Sequence, residues 1–257
     1  MKYSISTCSF YKYRIRKLLD MPEDLGVEIF YEYGSRDMWS SFLDALPGTR
    51  FSIHAPFAFV DIAEDCDEEK LFDILRRPFD MYHKYNGEFY VLHTYGDGEH
   101  GEDELHREAA RSRAAERLSR FNEICIAEGM TLGAENLCSG ARPLFDQQQF
   151  LRLFHDIPGL RCVLDVGHAI VTGMDIGAVQ RTLRERICAY HLHNNDGVHD
   201  LHNRLREGVF DWTDFAKNCA QYTPGAAGVL EYMNTVDLEA YTQDSMYLEK
   251  LINGELM

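Results

Sequence analysis

The sequence predicts an α/β chain folded as a single (β/α)8 barrel, the TIM-barrel architecture, over residues 1–257. Short runs rich in β-branched and aromatic residues alternate eight times with longer helical patterns, and no linker or composition break interrupts the rhythm. A length of 257 residues with 45% hydrophobic content suits one barrel-sized core. Six consecutive strand candidates end in a residue able to ligate a metal, as expected where parallel strands open on one mouth. A doubly wound sheet, the main rival, more often leaves an edge strand of different pattern.

In chain order, the first strand candidate, Lys2–Ser6, is followed by a basic run from Tyr11 to Lys17 that reads as the solvated start of a helix. Gly26–Phe30 comes next and carries Glu28 near its end, then Arg50–His54, which closes on His54. A helical pattern over Glu68–Lys84 leads to Glu88–His93, and the longest pattern, Asp103–Glu128, leads to Thr131–Glu135. The helix Asp146–Phe154 precedes Arg161–Asp165, and Ile187–His191 follows. The helix Trp212–Tyr222 precedes Ala227–Glu231, and Leu238–Ile252 is the last helical pattern. His54, His93, Glu135, Asp165, His191 and Glu231 therefore sit at six successive strand ends.

The stretch from Tyr190 to Trp212 holds four of the eleven histidines, His191, His193, His199 and His202, with Asp196 and Asp200 among them. Imidazole and carboxylate together are the usual ligands of zinc, manganese or iron. Side chains two apart on a strand share a face, so His191 and His193 point the same way, with His191 deeper. Asp200 and His202 have the same spacing in the following loop and are placed to grip one ion together. His168, three residues beyond Asp165, hangs over the mouth.

The remaining composition bounds the function. A net charge of −16 speaks against a broad surface for nucleic acid or anionic membrane. No stretch of about 18 apolar residues predicts a membrane span, and the first residues lack the apolar run of a signal peptide. Seven cysteines without regular spacing suit reduced thiols in a cytoplasmic protein. Cys8 and Cys138 are expected near the site, with no adjacent partner that would mark a nucleophile.

Motifs in this order resemble one family. They are GVEIFYE from Gly26, HAPF from His54, VLHTYG from Val91, GAEN from Gly133, LDVGHA from Leu164, HLHNNDG from His191, DLH from Asp200, REG from Arg206 and LEY from Leu230. The chain is similar over nearly its whole length to the xylose isomerase-like TIM barrels, which include sugar isomerases and epimerases and endonuclease IV. The resemblance implies that Glu135, Asp165, His191 and Glu231 hold a main metal ion. In the endonuclease IV branch it implies two more, one on His54, His93 and Glu135 and one on His168, Asp200 and His202. Asn194 stands where this family usually has Asp, which removes a carboxylate from the motif.

Two activities follow from the resemblance. The preferred one is a divalent-metal-dependent isomerase or epimerase of a sugar or sugar phosphate, working by proton transfer through a metal-stabilised enediolate. Glu135 and Glu231 would move the proton and His168 would position the substrate, with His54, His93, His193 and Glu28 as further contacts. The cofactor is expected to be zinc or manganese, one to three ions per chain. The alternative is an endonuclease IV-like multi-zinc phosphodiesterase acting on abasic DNA or another phosphate ester. Four carboxylates against three divalent ions leave a positive cluster suited to phosphate, whereas one ion with three carboxylates suits a neutral sugar. Arg14, Arg16, Lys17, Arg36, Arg142, Arg204 and Arg206 are the cations available to grip DNA. Acidic runs at Asp61–Lys70 and Asp97–Glu104 share their loops, which favours a small substrate. A barrel that only binds a ligand is disfavoured, because every ligand type is retained.

Overall fold

The computed structural model describes residues 1–10, 12–58, 60–96, 98, 100–101, 103–139, 142–233 and 236–256. Tyr11 of the basic run, Asp97, Glu99 and Glu102 of the second acidic run, and Met257 lie outside the described residues. Parallel strands pair in sequence order and close into a barrel: β1 (Lys2–Ser6), β2 (Gly26–Phe30), β3 (Phe51–His54), β4 (Tyr90–His93), β5 (Leu132–Glu135), β6 (Arg161–Asp165), β7 (Ile187–Leu192) and β8 (Ala227–Leu230). The expected (β/α)8 architecture is therefore observed. Glu231 lies one residue beyond β8, yet its backbone N–H still donates to the Leu192 carbonyl at 3.2 Å.

Among the described residues the helices are α1 (Arg36–Asp44), α2 (Glu68–Arg76), α3 (Phe79–Tyr85), α4 (Glu104–Ala127), α5 (Gln147–Asp156), α6 (Val166–Thr172), α7 (Ile176–Thr182), α8 (Trp212–Tyr222) and α9 (Leu238–Ile252). The single helix expected over Glu68–Lys84 is two, because Pro78 has no N–H to continue the ladder and instead starts α3. The run after Tyr11 is a 3-10 segment, Lys12–Asp20, anchored by buried Ile15 and Leu18. Asp67, Asp103, Asp146, Asp165, Asp175 and Asp211 each accept a backbone N–H at a helix start. Part of the acidic charge is thus spent on helix caps. No described helix is long and apolar enough to cross a membrane.

Strand alternation decides what faces the barrel axis. Val91, Gly133, Val163, Ala189 and Val229 each lie two residues before a candidate ligand, on the same face of their strands. Val91, Val163, Ala189 and Val229 pack with Phe89 as a separate buried cluster. Gly133 completes it, since a Cβ there would come within 2.6 Å of Val163 Cγ2. The barrel is thus plugged by small apolar side chains, and the next inward layer is polar. Register holds that layer level: His93 lies opposite Glu135, and Asp165 opposite His191.

Replacing Val163 with Ala removes two methyl groups from this plug and leaves space that Gly133 cannot fill. Urea denaturation should show a loss of about 2 kcal/mol, with cation uptake unchanged. A loss confined to cation uptake would mean that the plug does not support the fold.

Candidate metal centre

Most candidate site residues stand at or just beyond the carboxyl end of a strand; Glu28 lies mid-way along β2, and Asp200 and His202 are carried by the long loop after β7. Glu28, Glu135, Asp165 and His191 are buried within the mouth, and Glu231 is 5% exposed. His54 and His93 each bring Nε2 to 3.4 Å from Glu135 Oε2. The other oxygen of Glu135, Oε1, is 3.0 Å from His191 Nδ1 and 3.5 Å from His168 Nδ1. His191 Nδ1 also lies 3.4 Å from Glu231 Oε2 and 3.7 Å from Asp165 Oδ2. A further cluster forms above Asp165, where Asp200 Oδ2 is 3.3 Å from His168 Nε2 and 3.1 Å from His202 Nε2.

These contacts gather ligand-type atoms into groups that each span the reach of one ion. They are His54, His93 and Glu135; Glu135, Asp165 and His191; Glu28, His191 and Glu231; and His168, His193, Asp200 and His202. His193 thus lies within reach of the last group. Glu28 sits beneath His191, with Oε1 3.0 Å from its Nε2, and accepts from Ser52 Oγ at 2.9 Å. His199 of the histidine-rich stretch points outward instead, paired with Asp196 on the surface.

The histidines are oriented for ligation. His54 Nδ1–H donates to the Ala55 carbonyl at 3.0 Å, His168 Nδ1–H to Asn136 at 2.9 Å, and His202 Nδ1–H to Glu231 at 3.1 Å. Each bond fixes the tautomer and turns Nε2 inward. Asn136 in turn holds Asp165, donating to its carbonyl at 2.9 Å and accepting its N–H at 2.8 Å. Asn194 resolves its departure from the family motif. Its amide donates to the carbonyls of Leu205 at 2.7 Å and Phe210 at 3.2 Å, which a carboxylate could not do. The loop after β7 is thereby pinned.

Without a cation, the site holds its charge with protons. Burial alone would strip the proton from His191, but the Glu135, Glu28 and Glu231 carboxylates raise its pKa well above the usual value. His168 is raised in the same way, against burial, by Asp165 and Asp200. His202, likewise buried, is raised to about 9, chiefly by its bond to Asp200. Burial would keep Glu135 neutral, yet the charge and hydrogen bond of His191 lower its pKa well below the carboxylate range. His93 goes the other way, to about 3, because burial outweighs Glu135.

A divalent cation fits this set. Glu28 Oε1, Glu135 Oε2, His191 Nε2, His193 Nδ1 and Glu231 Oε2 are buried polar atoms that make no well-aligned hydrogen bond, all in this one mouth. Mixed nitrogen and carboxylate donors suit zinc or manganese. Above them opens a cavity of about 300 Å³, lined by Cys8, His93, Glu135, His168, Asp200, His202 and Glu231 on its polar side. Its apolar wall, Phe30, Phe57, Leu137, Tyr232 and Met233, was not foreseen from sequence. Phe30 ends β2 and the others follow β3, β5 and β8; Phe30, Phe57 and Tyr232 fall within the motifs GVEIFYE, HAPF and LEY, the signal that could have marked them. Cys138 lies near this mouth, beside His168.

The family described as xylose isomerase-like TIM barrel matches residues 26–251. No curated protein matches the chain at a significant level. Among solved structures, a D-tagatose 3-epimerase-like protein superposes with a TM-score of 0.86 at 18% identity, covering 100% of both chains. A Thermus thermophilus protein soaked with zinc chloride gives 0.74 at 20% identity, again covering 100% of both. A Clostridium cellulolyticum D-psicose 3-epimerase, solved with D-tagatose, gives 0.69 at 13% identity, covering 99% of this chain and 96% of that one. At these identities the likeness is one of fold.

The His202 shift sets a pH window for the cation-free protein. A folded pKa of about 9 against an ordinary 6.5 contributes stability fully below pH 6.5 that is lost as pH rises through 9. Melting temperature in chelator should therefore fall across that window, and Asp200→Asn should flatten the fall. A wild-type profile flat from pH 6.5 to 9 would contradict this origin of the shift.

Proposed function

The chain belongs to the xylose isomerase-like TIM-barrel family, and from that premise we propose that it is a divalent-cation-dependent isomerase or epimerase of a small, unphosphorylated sugar. One observation carries the reading. Glu135 at the end of β5 and Glu231 just beyond β8 line one cavity, and each carries a buried oxygen that makes no well-aligned hydrogen bond. Two such carboxylates are what proton transfer at a carbon beside a carbonyl needs.

The charge around the mouth supports a neutral substrate. The described lining of the cavity includes no Lys or Arg. The cations available to grip DNA are largely engaged: Arg36 with Asp80, Arg142 with Glu104, Arg204 and Arg206 with Asp244, and Lys17 with Asp237. The solved epimerase with D-tagatose adds support for a ketose.

Glu135, Asp165, His191 and Glu231 would hold the principal cation, zinc or manganese. When bound, it supplies Lewis-acid polarisation of neighbouring carbonyl and hydroxyl oxygens. One glutamate takes the proton from the carbon beside the carbonyl. The other returns a proton to the opposite face for epimerisation, or the first returns it to the adjacent carbon for isomerisation. His168 and His202, lining the cavity, orient the hydroxyls, and the apolar wall excludes water from the carbanionic carbon. His93 reaches the same cavity, and buried His54 meets the His93 ring edge-on with centroids 4.7 Å apart. Residues 1–257 are proposed to form one domain, and seven unpaired cysteines support a cytoplasmic location.

A second reading, a multi-cation phosphodiesterase, is favoured by the separate ligand groups around His54 and His168. Elemental analysis and a ketose panel in deuterated water separate the two. The proposed enzyme interconverts a ketose with its epimer or aldose and washes deuterium into the product. Glu135→Gln and Glu231→Gln should each lower kcat roughly 10²–10⁴-fold. Two or three zinc ions per chain, phosphoesterase activity and no exchange on any ketose would reject the isomerase.

A further inference from the structure

His193 lies between the ligand groups, is fully buried, and does not itself line the cavity. Its Nε2–H donates to Asp165 Oδ2 at 3.1 Å, while Asp165 Oδ1 accepts the backbone N–H of His168 at 2.6 Å. Both oxygens of that carboxylate are therefore oriented. On its other side, the His193 ring stacks on His202, with centroids 4.0 Å apart and planes 10° from parallel. It also meets His168 edge-on at 5.8 Å.

Asp200 straddles the stack: Oδ2 faces His202 Nε2 at 3.1 Å and Oδ1 faces His193 Nδ1 at 3.7 Å. The stack argues against His193 as a ligand beside His202. An imidazole nitrogen binds a cation in the plane of its ring, and two nearly parallel planes share no such point.

Gly167 is an independent sign that the position of this ring matters. It lies inside α6, where Ala is the better helix former. A Cβ there would come within 1.9 Å of His193 Cε1. The glycine is explained by the room it leaves for the ring.

We infer that His193 is a positioning residue, a strut that sets the Asp165 carboxylate and the His202 ring together. The cluster on Glu135, Asp165 and His191 and the cluster on His168, Asp200 and His202 are then adjusted as a pair. This assignment rests on the cation-dependent reading of the site and goes beyond it, because it takes His193 out of substrate contact.

Cobalt(II), titrated against a competing chelator and followed by its visible absorption, tests the strut. His193→Phe keeps a ring on His202 but removes the donor to Asp165, and should weaken cobalt binding about 10- to 100-fold. Gly167→Ala should do the same by displacing the ring. His193→Gln keeps a donor for Asp165 and should recover at least half of the loss on a logarithmic scale. Cation-free melting temperatures, recorded for all variants, separate positioning from packing. Wild-type cobalt affinity in His193→Phe overturns the assignment. Equal losses in His193→Phe and His193→Gln that track lowered melting temperatures overturn it as well. A wild-type chain that takes up no cobalt overturns the cation-dependent function together with it.

Discussion

Glu28, Glu135, Asp165 and Glu231 are four carboxylates no more than 5% exposed, crowded at one end of a barrel. Taking a carboxylate out of water costs several kcal/mol even after the protein relaxes. A set of four is tolerable only where positive charge is shared among them. The histidines supply it in the cation-free chain, which is why His191 and His168 hold protons against their burial. Binding of a cation there would exchange those protons for metal charge, which would tie affinity to pH.

The rest of the barrel serves that arrangement. Period-two alternation puts Val91, Gly133, Val163, Ala189 and Val229 one step below the polar layer, and so closes the barrel to water from beneath. The long connection after β7 carries Asp200 and His202 with little regular structure, so its shape depends on side chains. Asn194 bonds two carbonyls, Asn195 Nδ2 donates to Gly167 at 2.9 Å, and Trp212 Nε1 to Leu205 at 2.6 Å. His202 even adopts a left-handed backbone, φ 48°, an uncommon conformation for a residue with a Cβ.

Strand ends were legible because two constraints coincide there: hydrophobic runs that end in a polar residue, and parallel strands that share one mouth. Depth was not legible. Glu28 reads as another polar residue near a strand end, and only the register with Ser52 and the position of His191 show it lying beneath the cluster. His199 carries the same chemistry as His191 and His193 yet faces solvent, since a loop has no fixed period to aim its side chains. The short helices α1, α6 and α7 escaped because seven to nine residues give too few turns for a clear pattern. The break at Pro78 was visible in the sequence and was overridden by the apolar periodicity on either side.

The acidic surplus bears on substrate choice through its location rather than its size. Six aspartates sit at helix starts, and three glutamates sit in the mouth beside Asp165, so much of the charge of −16 has a local task. The cations nearest the mouth are no counterweight. Arg204 gives its guanidinium to fully buried Asp244 through two bonds of 3.0 Å, and releasing it to a phosphate would strand that carboxylate. A polyanion approaching this face would have to break such pairs first. A small neutral molecule, as proposed, would need no such exchange, and its hydroxyls would find imidazole and carboxylate partners in the cavity lining.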